Sequence, residues 1–502
     1  MISLLIAVLV LIVGYYVYSR ITEKVFAPDG RQTPAFAEKD GVDYVPMKPW
    51  KSFLIQLLNI AGTGPIFGAL MGAVFGPVVF LWIVLGSILG GAVHDYMSGM
   101  ISSRNSGASV AELSGNYMGK GIKWVMRVFS VVLLVLCGVV FVTSPAALLD
   151  KLVPVSWMNG TFWAIIILVY YLVATLLPID KVIGKLYPVF GILLITMALA
   201  VIGGIIFSGG KYTIPEITLA NLHPDGTPVW PYMFITVACG AVSGFHATQS
   251  PMVAKCIRTE REGRKVFYGA MIGESVIALI WAAAGVAFYG TTQLLGDALK
   301  GGASNVVYEI ATGTLGTVGA ILAVAGVIIC PITSGDTAFR SARLILGETF
   351  KLPQKSIKNR LIITLPLLVV GGLLTWFAIS NANGFQIIWR YFSWSNQTLA
   401  MITLWVASAY LIKQGTYRFG SLLTAIPATF MTAVTVTYIF MADEGFRVPA
   451  LPAYIVGGAV ALVLLGLYVF FLVKLRVKGH IFPVEPADLI EDISGTSEAP
   501  AA

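Results

Sequence analysis

The 502-residue chain is 57% hydrophobic and only 12% charged, with a formal net charge of +8. Soluble domains carry roughly 25% charged residues, so this composition excludes an ordinary soluble protein. A positive excess suits a nucleic-acid partner, but its distribution along the chain gives it a different meaning, and no nucleic acid is expected.

The apolar residues come in blocks. Stretches such as 131–142 and 455–473 are near-continuous, and a bilayer core takes about 20 apolar residues. Such runs are too long for barrel strands, so the expected fold class is an all-α polytopic membrane protein. The first run, 2–18, lacks a basic leader and a small-residue cleavage site and reads as a helix rather than a signal peptide. Twelve more follow, at 51–75, 77–101, 121–148, 161–178, 185–207, 230–252, 267–290, 316–340, 360–380, 387–412, 419–440 and 451–474. Thirteen spans place the termini on opposite sides. In that scheme one side collects nearly all the lysine and arginine, from Arg20 through Arg104, Lys255, Arg340, Arg343 and Lys413 to Lys478. The other side receives only Lys151, Lys211, Lys300, Arg390 and Arg447. The basic side is expected to be cytoplasmic, with the N-terminus outside and the C-terminus inside. The polar stretch 479–502 reads as a disordered cytoplasmic tail. Cys137, Cys239, Cys256 and Cys330 are far apart, without metal spacing, and suit small buried hydrophobes.

Two spans are interrupted. The second carries Gly62-Thr63-Gly64-Pro65, and the seventh carries Gly240-Ala241-Val242-Ser243-Gly244-Phe245-His246 and then Pro251. Glycine and proline at these positions break a helix at membrane depth. Unwound backbone there is tolerated where it lines a protein-enclosed cavity. Paired interruptions point to a transporter's binding site. An offset of five spans makes the two run in opposite directions, as a five-plus-five inverted repeat requires, with one helix before it and two after. The competing reading is close helix packing, since Gly64/Gly68 and Gly240/Gly244 have GxxxG spacing. A break frees amide donors at the start of a half-helix, with Pro65 and Pro251 expected in the first turns. The amides of Gly62, Thr63 and Gly64, with Ser243, Gly244 and His246 opposite, then suit a small carboxylate.

His94 and Asp95 lie in the third span, where an ionisable group serves a proton relay or substrate, or else marks a helix end or a packing hydrogen bond. His246 is a further candidate for protonation. Glu274 in the eighth span is a weaker one. In the ninth span Thr333, Ser334 and Asp336 offer oxygens to a hard cation or a carboxyl to a proton. Asp336 and Arg340, four apart, equally suit an ion pair. Arg390, Asn396 and Gln397 in the eleventh span suit a substrate carboxylate, or Arg390 reaches the outer surface. No protease, hydrolase, nucleotide-triphosphate or dinucleotide motif appears, and no enzyme activity is expected.

Ile60-Ala61-Gly62-Thr63-Gly64-Pro65, Gly91-Ala92-Val93-His94-Asp95-Tyr96, Ser243-Gly244-Phe245-His246-Ala247, Thr333-Ser334-Gly335-Asp336-Thr337 and Arg390-Tyr391-Phe392 with Asn396-Gln397 resemble the carbon starvation protein A family. The resemblance runs from about residue 50 to 440. It implies likeness to the amino acid–polyamine–cation superfamily, with a LeuT-like core whose first and sixth helices are broken. It also implies uptake of pyruvate with protons, or of peptides, across the bacterial inner membrane. In that fold Thr333 and Ser334 fall where a sodium ligand pair would, so a sodium ion or a proton is the expected coupling ion, with no other cofactor. The organisation implied is an N-terminal helix (1–20), a ten-helix core (51–412), two further helices (419–474) and the tail (479–502).

Overall fold

The computed structural model describes residues 1–477, apart from 42, 154, 177–178, 355, 382, 416 and 418; the side chains of 176, 179–186, 323–325, 327 and 475–477 are also left out of the description. The tail at 479–502 and the side chains of Lys181, Lys185, Lys355, Arg418 and Lys478 therefore lie outside the described residues. Every regular element among the described residues is helical. These are α1 (Ile2–Phe26), α2 (Pro49–Ile60), α3 (Ala69–Ala73), α4 (Val79–Arg104), α5 (Lys120–Leu152), α6 (Gly160–Leu176), α7 (Ile179–Ile206), α8 (Val229–Thr236), α9 (Gly244–Ala254), α10 (Glu260–Tyr289), α11 (Ala303–Val324), α12 (Cys330–Thr349), α13 (Ile357–Ser380), α14 (Gly384–Gln414), α15 (Leu422–Met441) and α16 (Ala450–Val477), joined by shorter turns. Among the described residues eight helices are long and apolar enough to cross a membrane, and a ninth span arises where α2 and the Gly64–Ala73 segment meet at 57°.

Burial divides the helices. The windows of α4 and α10 are 83% buried, against 22% for α1 and 17% for α16. The first two lie inside the bundle and carry buried polar as well as apolar side chains, and the last two present apolar side chains outward, as lipid-facing helices do. The centre is therefore α4 and α10, with α1, α2, α9 and α14 packed about them, while α12 packs chiefly on α5.

Two expectations are corrected here. The ninth span does not end at 340. It turns at Gly316, whose φ of 60° and ψ of −140° no helix accommodates, and α12 continues to Thr349. Hydropathy stops short because Arg340 and Arg343 look like loop charges. Both are buried, Arg340 donating to the Ala174 carbonyl at 2.7 Å and Arg343 to Gln354 at 2.6 Å. The second correction concerns Pro251, which lies inside α9 rather than in its first turn. The interruption falls eight and nine residues earlier, where Ser243 and Val242 are extended.

Candidate functional site

Ala61 leaves the helical region at φ −85°, ψ 57°, and the Gly62 amide turns back to the Ile60 carbonyl at 3.0 Å. That amide is therefore already satisfied. The chain resumes at Gly64, with Pro65 early in the new half-helix. In the second interruption α8 ends at Thr236, a single turn follows over Ala238–Ala241, and α9 begins at Gly244.

The two interruptions touch. A Cβ on Gly64 would collide with the Cys239 thiol and lie 2.5 Å from its Cβ, and one on Gly68 would lie 3.1 Å from the Thr236 carbonyl oxygen. Glycine is needed at both because backbone meets its neighbour there with no room for a side chain. Gly62 is covered by Phe141, whose ring stands 5.9 Å from that of Phe245, and Phe67 packs on Trp389 at 6.1 Å. Aromatic rings thus close over both breaks.

Helix α14 satisfies the second interruption. Asn396 Oδ1 accepts from the Phe245 amide at 2.7 Å and from the Ser243 hydroxyl at 3.1 Å, while Gln397 Nε2 donates to the Ala238 carbonyl at 3.0 Å. A buried amide without a partner costs about 1–3 kcal/mol, so these two side chains hold the unwound segment. In this conformation Asn396 and Gln397 are spent on backbone. Arg390, one and a half turns earlier, is half-exposed and faces Glu444 at 3.5 Å, away from the breaks.

The ionisable residues from three separate spans converge. His94 Nδ1 lies 2.8 Å from Asp95 Oδ1, and Asp95 Oδ2 lies 2.8 Å from His246 Nδ1. His246 Nε2 in turn approaches Glu274 Oε2 at 3.2 Å, though not aligned as a hydrogen bond. All four side chains are fully buried. This excludes the expectation that His94 and Asp95 merely mark a helix end at the surface. Helix α4 is widened into a π turn over Trp82–Gly91 just before them, and Gly91 meets the Ala241 carbonyl of the second break. Such turns are frequent at functional sites.

The ninth-span residues form a second cluster. Asp336 Oδ2 lies 3.8 Å from Arg340 Nη2 and accepts from the Tyr187 hydroxyl at 3.4 Å, so the ion pair is present. The Ser334 hydroxyl donates to the Leu58 carbonyl at 3.0 Å, the Cys330 thiol to the Ala61 carbonyl at 2.8 Å, and Thr333 to Cys330 within its own helix. Helix α12 therefore ties down the last carbonyls of α2, a set of oxygens suited to a hard cation. Among the described residues no group of three or more His, Cys, Asp or Glu is placed to hold a metal ion.

Ser52, Gln56, Asn59 and Thr63 lie along one face of α2 leading to the break, all buried and each with a side-chain atom lacking a partner. Their spacing of four, three and four residues is a helical stripe that mean hydropathy passes over. It is the site feature that inspection of the sequence missed.

The model of the family described as carbon starvation protein CstA matches residues 1–157, 130–291 and 283–438. The chain belongs to the CstA family. Similar chains include an uncharacterized membrane protein of Haemophilus influenzae, 44% identical over 59% of this chain and 94% of its own. The peptide transporter CstA of Campylobacter jejuni is 25% identical over 86% of this chain and 78% of its own, and the pyruvate/proton symporter BtsT of Escherichia coli 29% over 55% and 47%. In three dimensions this CstA-family chain is similar to a manganese transporter of Eremococcus coleocola (TM-score 0.55, 12% identity, 87% of this chain and 99% of the other) and to inward-facing Mhp1 (0.52, 17%, 87% and 95%). At such identities the likeness concerns fold alone.

Proposed function

We propose that this chain is a secondary active symporter that imports a small carboxylate such as pyruvate, with a proton or a sodium ion, by alternating access. The observation that carries this reading is the contact of two interrupted helices at Gly64 and Cys239, beside a buried set of ionisable groups. Half-helices starting at Gly64 and Gly244 direct their positive ends toward that junction, where a carboxylate is favoured. Opening the junction would release Thr63, Ser243 and the amides near Gly62 to substrate, and would bring Asn396 and Gln397 within reach. The coupling ion would sit either among Thr333, Ser334 and Asp336 or on His94, Asp95 and His246. The kinship to the pyruvate/proton symporter of Escherichia coli supports this substrate class.

Peptide import is the second reading, favoured because the peptide transporters of the family align with this chain over more of their length. The same proposal takes thirteen crossings, a five-plus-five inverted repeat over 51–412, flanking helices at 1–20 and 419–474, and a cytoplasmic tail at 479–502. It puts the protein in a bacterial inner membrane with its N-terminus outside. Uptake of labelled pyruvate and of a labelled dipeptide into proteoliposomes, with proton and sodium gradients imposed separately, tests it. Gradient-driven accumulation of pyruvate supports the first reading, and accumulation of the dipeptide alone replaces it with the second. Equilibration of either without accumulation under any gradient refutes symport.

A further inference from the structure

Two buried carboxylates compete as the place where a coupling proton rides, and their surroundings differ. Asp336 already faces a guanidinium, Arg340, on its own helix and a tyrosine hydroxyl from α7. Among the described residues Glu274 has no such partner, and every ion pair made by Glu274, His246, Asp95 and His94 is with another of the four. Among the same residues neither Glu274 carboxyl oxygen has an aligned hydrogen-bond donor, and His94 Nε2 at the far end has no hydrogen-bond partner.

Counting charge along this chain is simple. One proton shared between Asp95 and His246 neutralises that pair, which leaves a carboxylate at Glu274 unmatched. A second proton, taken from hydronium onto a Glu274 oxygen with release of water, brings the whole chain to zero. In a site sealed from solvent the unmatched carboxylate is the costly form. The titratable groups that face the chain from its neighbours are the thiols of Cys330, toward Glu274, and Cys239, toward His246. Helix α1 turns Glu23 to Arg264, near the start of α10, and α7 turns Tyr187 to Asp336. Helix α11 turns Glu309 to Tyr289 at the other end of α10, and α2 adds only uncharged side chains along its buried stripe.

His246 is the third residue of α9, directly after the second interruption. Any shift of α9 that opens the junction alters its 2.8 Å and 3.2 Å approaches to Asp95 and Glu274. We propose that Glu274 carries the coupling proton and that His246, Asp95 and His94 balance its charge, with Asp336 a structural partner of Arg340. This deepens the symport reading above and rests on it.

The test compares wild type and Glu274→Gln in proteoliposomes, with pyruvate and a dipeptide as probes. Glutamine keeps the shape of the protonated carboxyl and removes its titration. Expected are exchange of labelled for unlabelled substrate within a few-fold of wild type in Glu274→Gln, but loss of accumulation driven by a proton gradient. Proton uptake on substrate addition, followed with a pH dye in weakly buffered detergent, is expected in wild type and absent from Glu274→Gln. Accumulation by Glu274→Gln overturns the proposal. Where glutamine abolishes exchange as well, Glu274→Asp decides: restored proton-driven accumulation supports the proposal, and its absence overturns it. Wild-type accumulation under a sodium gradient alone sinks the proton reading itself, whichever residue is involved.

Discussion

Replacing Gly244 by alanine tests whether the second interruption is held by backbone packed on backbone. A Cβ there would overlap the Ala400 amide and the Asn396 carbonyl of α14 and lie 2.5 Å from Leu399 Cβ. Ordinary carbon contact is about 3.5–4 Å, so α9 and α14 must part by roughly 1 Å. The 2.7 Å bond from the Phe245 amide to Asn396 then stretches beyond hydrogen-bond range. Overpacking costs about 1–3 kcal/mol and an orphaned buried donor about 1–3 kcal/mol, so a loss of about 2–6 kcal/mol is expected. Gly203→Ala is the control: no atom lies within 4 Å of its Cβ, and in the helix it should stabilise by about 0.5–1 kcal/mol. Unfolding of both variants in mixed micelles with rising denaturant measures the difference. A change below about 0.5 kcal/mol for Gly244→Ala, the size seen where a substitution touches nothing, would refute the packing argument.

Asn396→Ala removes the acceptor of the Phe245 amide; it should cost about 1–3 kcal/mol in the same unfolding assay and abolish substrate exchange, whereas full exchange would show that the break holds without it. Arg104→Ala strands Glu260, which is 1% exposed and held by Arg104 at 2.7 and 2.8 Å, leaving Arg31 at 3.7 Å as its remaining cation; a loss of about 3–5 kcal/mol is expected, and a neutral result would count against that buried pair. Glu216, between the spans, is held down to about 2 by the Met1 ammonium and by Ser3. Because its folded value lies below its ordinary 4.5, the contact is fully present above 4.5 and fades as pH falls toward 2. The thermal advantage of wild type over Glu216→Gln should therefore shrink on acidification, and an advantage that grows would reverse the sign.

The helical character of the fold was legible because lipid leaves few choices and long apolar runs had to be helices, whereas proline alone was a poor guide to a break, since Pro251 lies inside α9. The helix at Ala303 and the true end of α12 were not legible, since a buried arginine bonded to a carbonyl looks like a loop charge to any hydropathy scale. His94, Asp95 and His246 stood out one by one as ionisable residues in apolar surroundings. Their union did not, because Asp95 and His246 are 151 positions apart and only the packing of α4 on α9 brings them together. Glu274 drew little notice for the same reason, with Ser275 as its one adjacent polar residue and its partner His246 28 positions away. The opposite error arose at Arg390, where proximity to Asn396 and Gln397 along the chain suggested a shared role: it precedes them by six and seven residues on the same helix, but its side chain is half-exposed and turns to Glu444 instead.

The cysteines give this molecule a reporter of its own. All four are buried, and two of them mark the breaks: Cys239 lies against Gly64, and Cys330 is bonded to the Ala61 carbonyl. A thiol reagent reaches neither while the junction is shut. Alkylation at either position therefore reports the first opening of each molecule in the native chain, and the face from which an impermeant reagent succeeds tells from which side the junction became accessible.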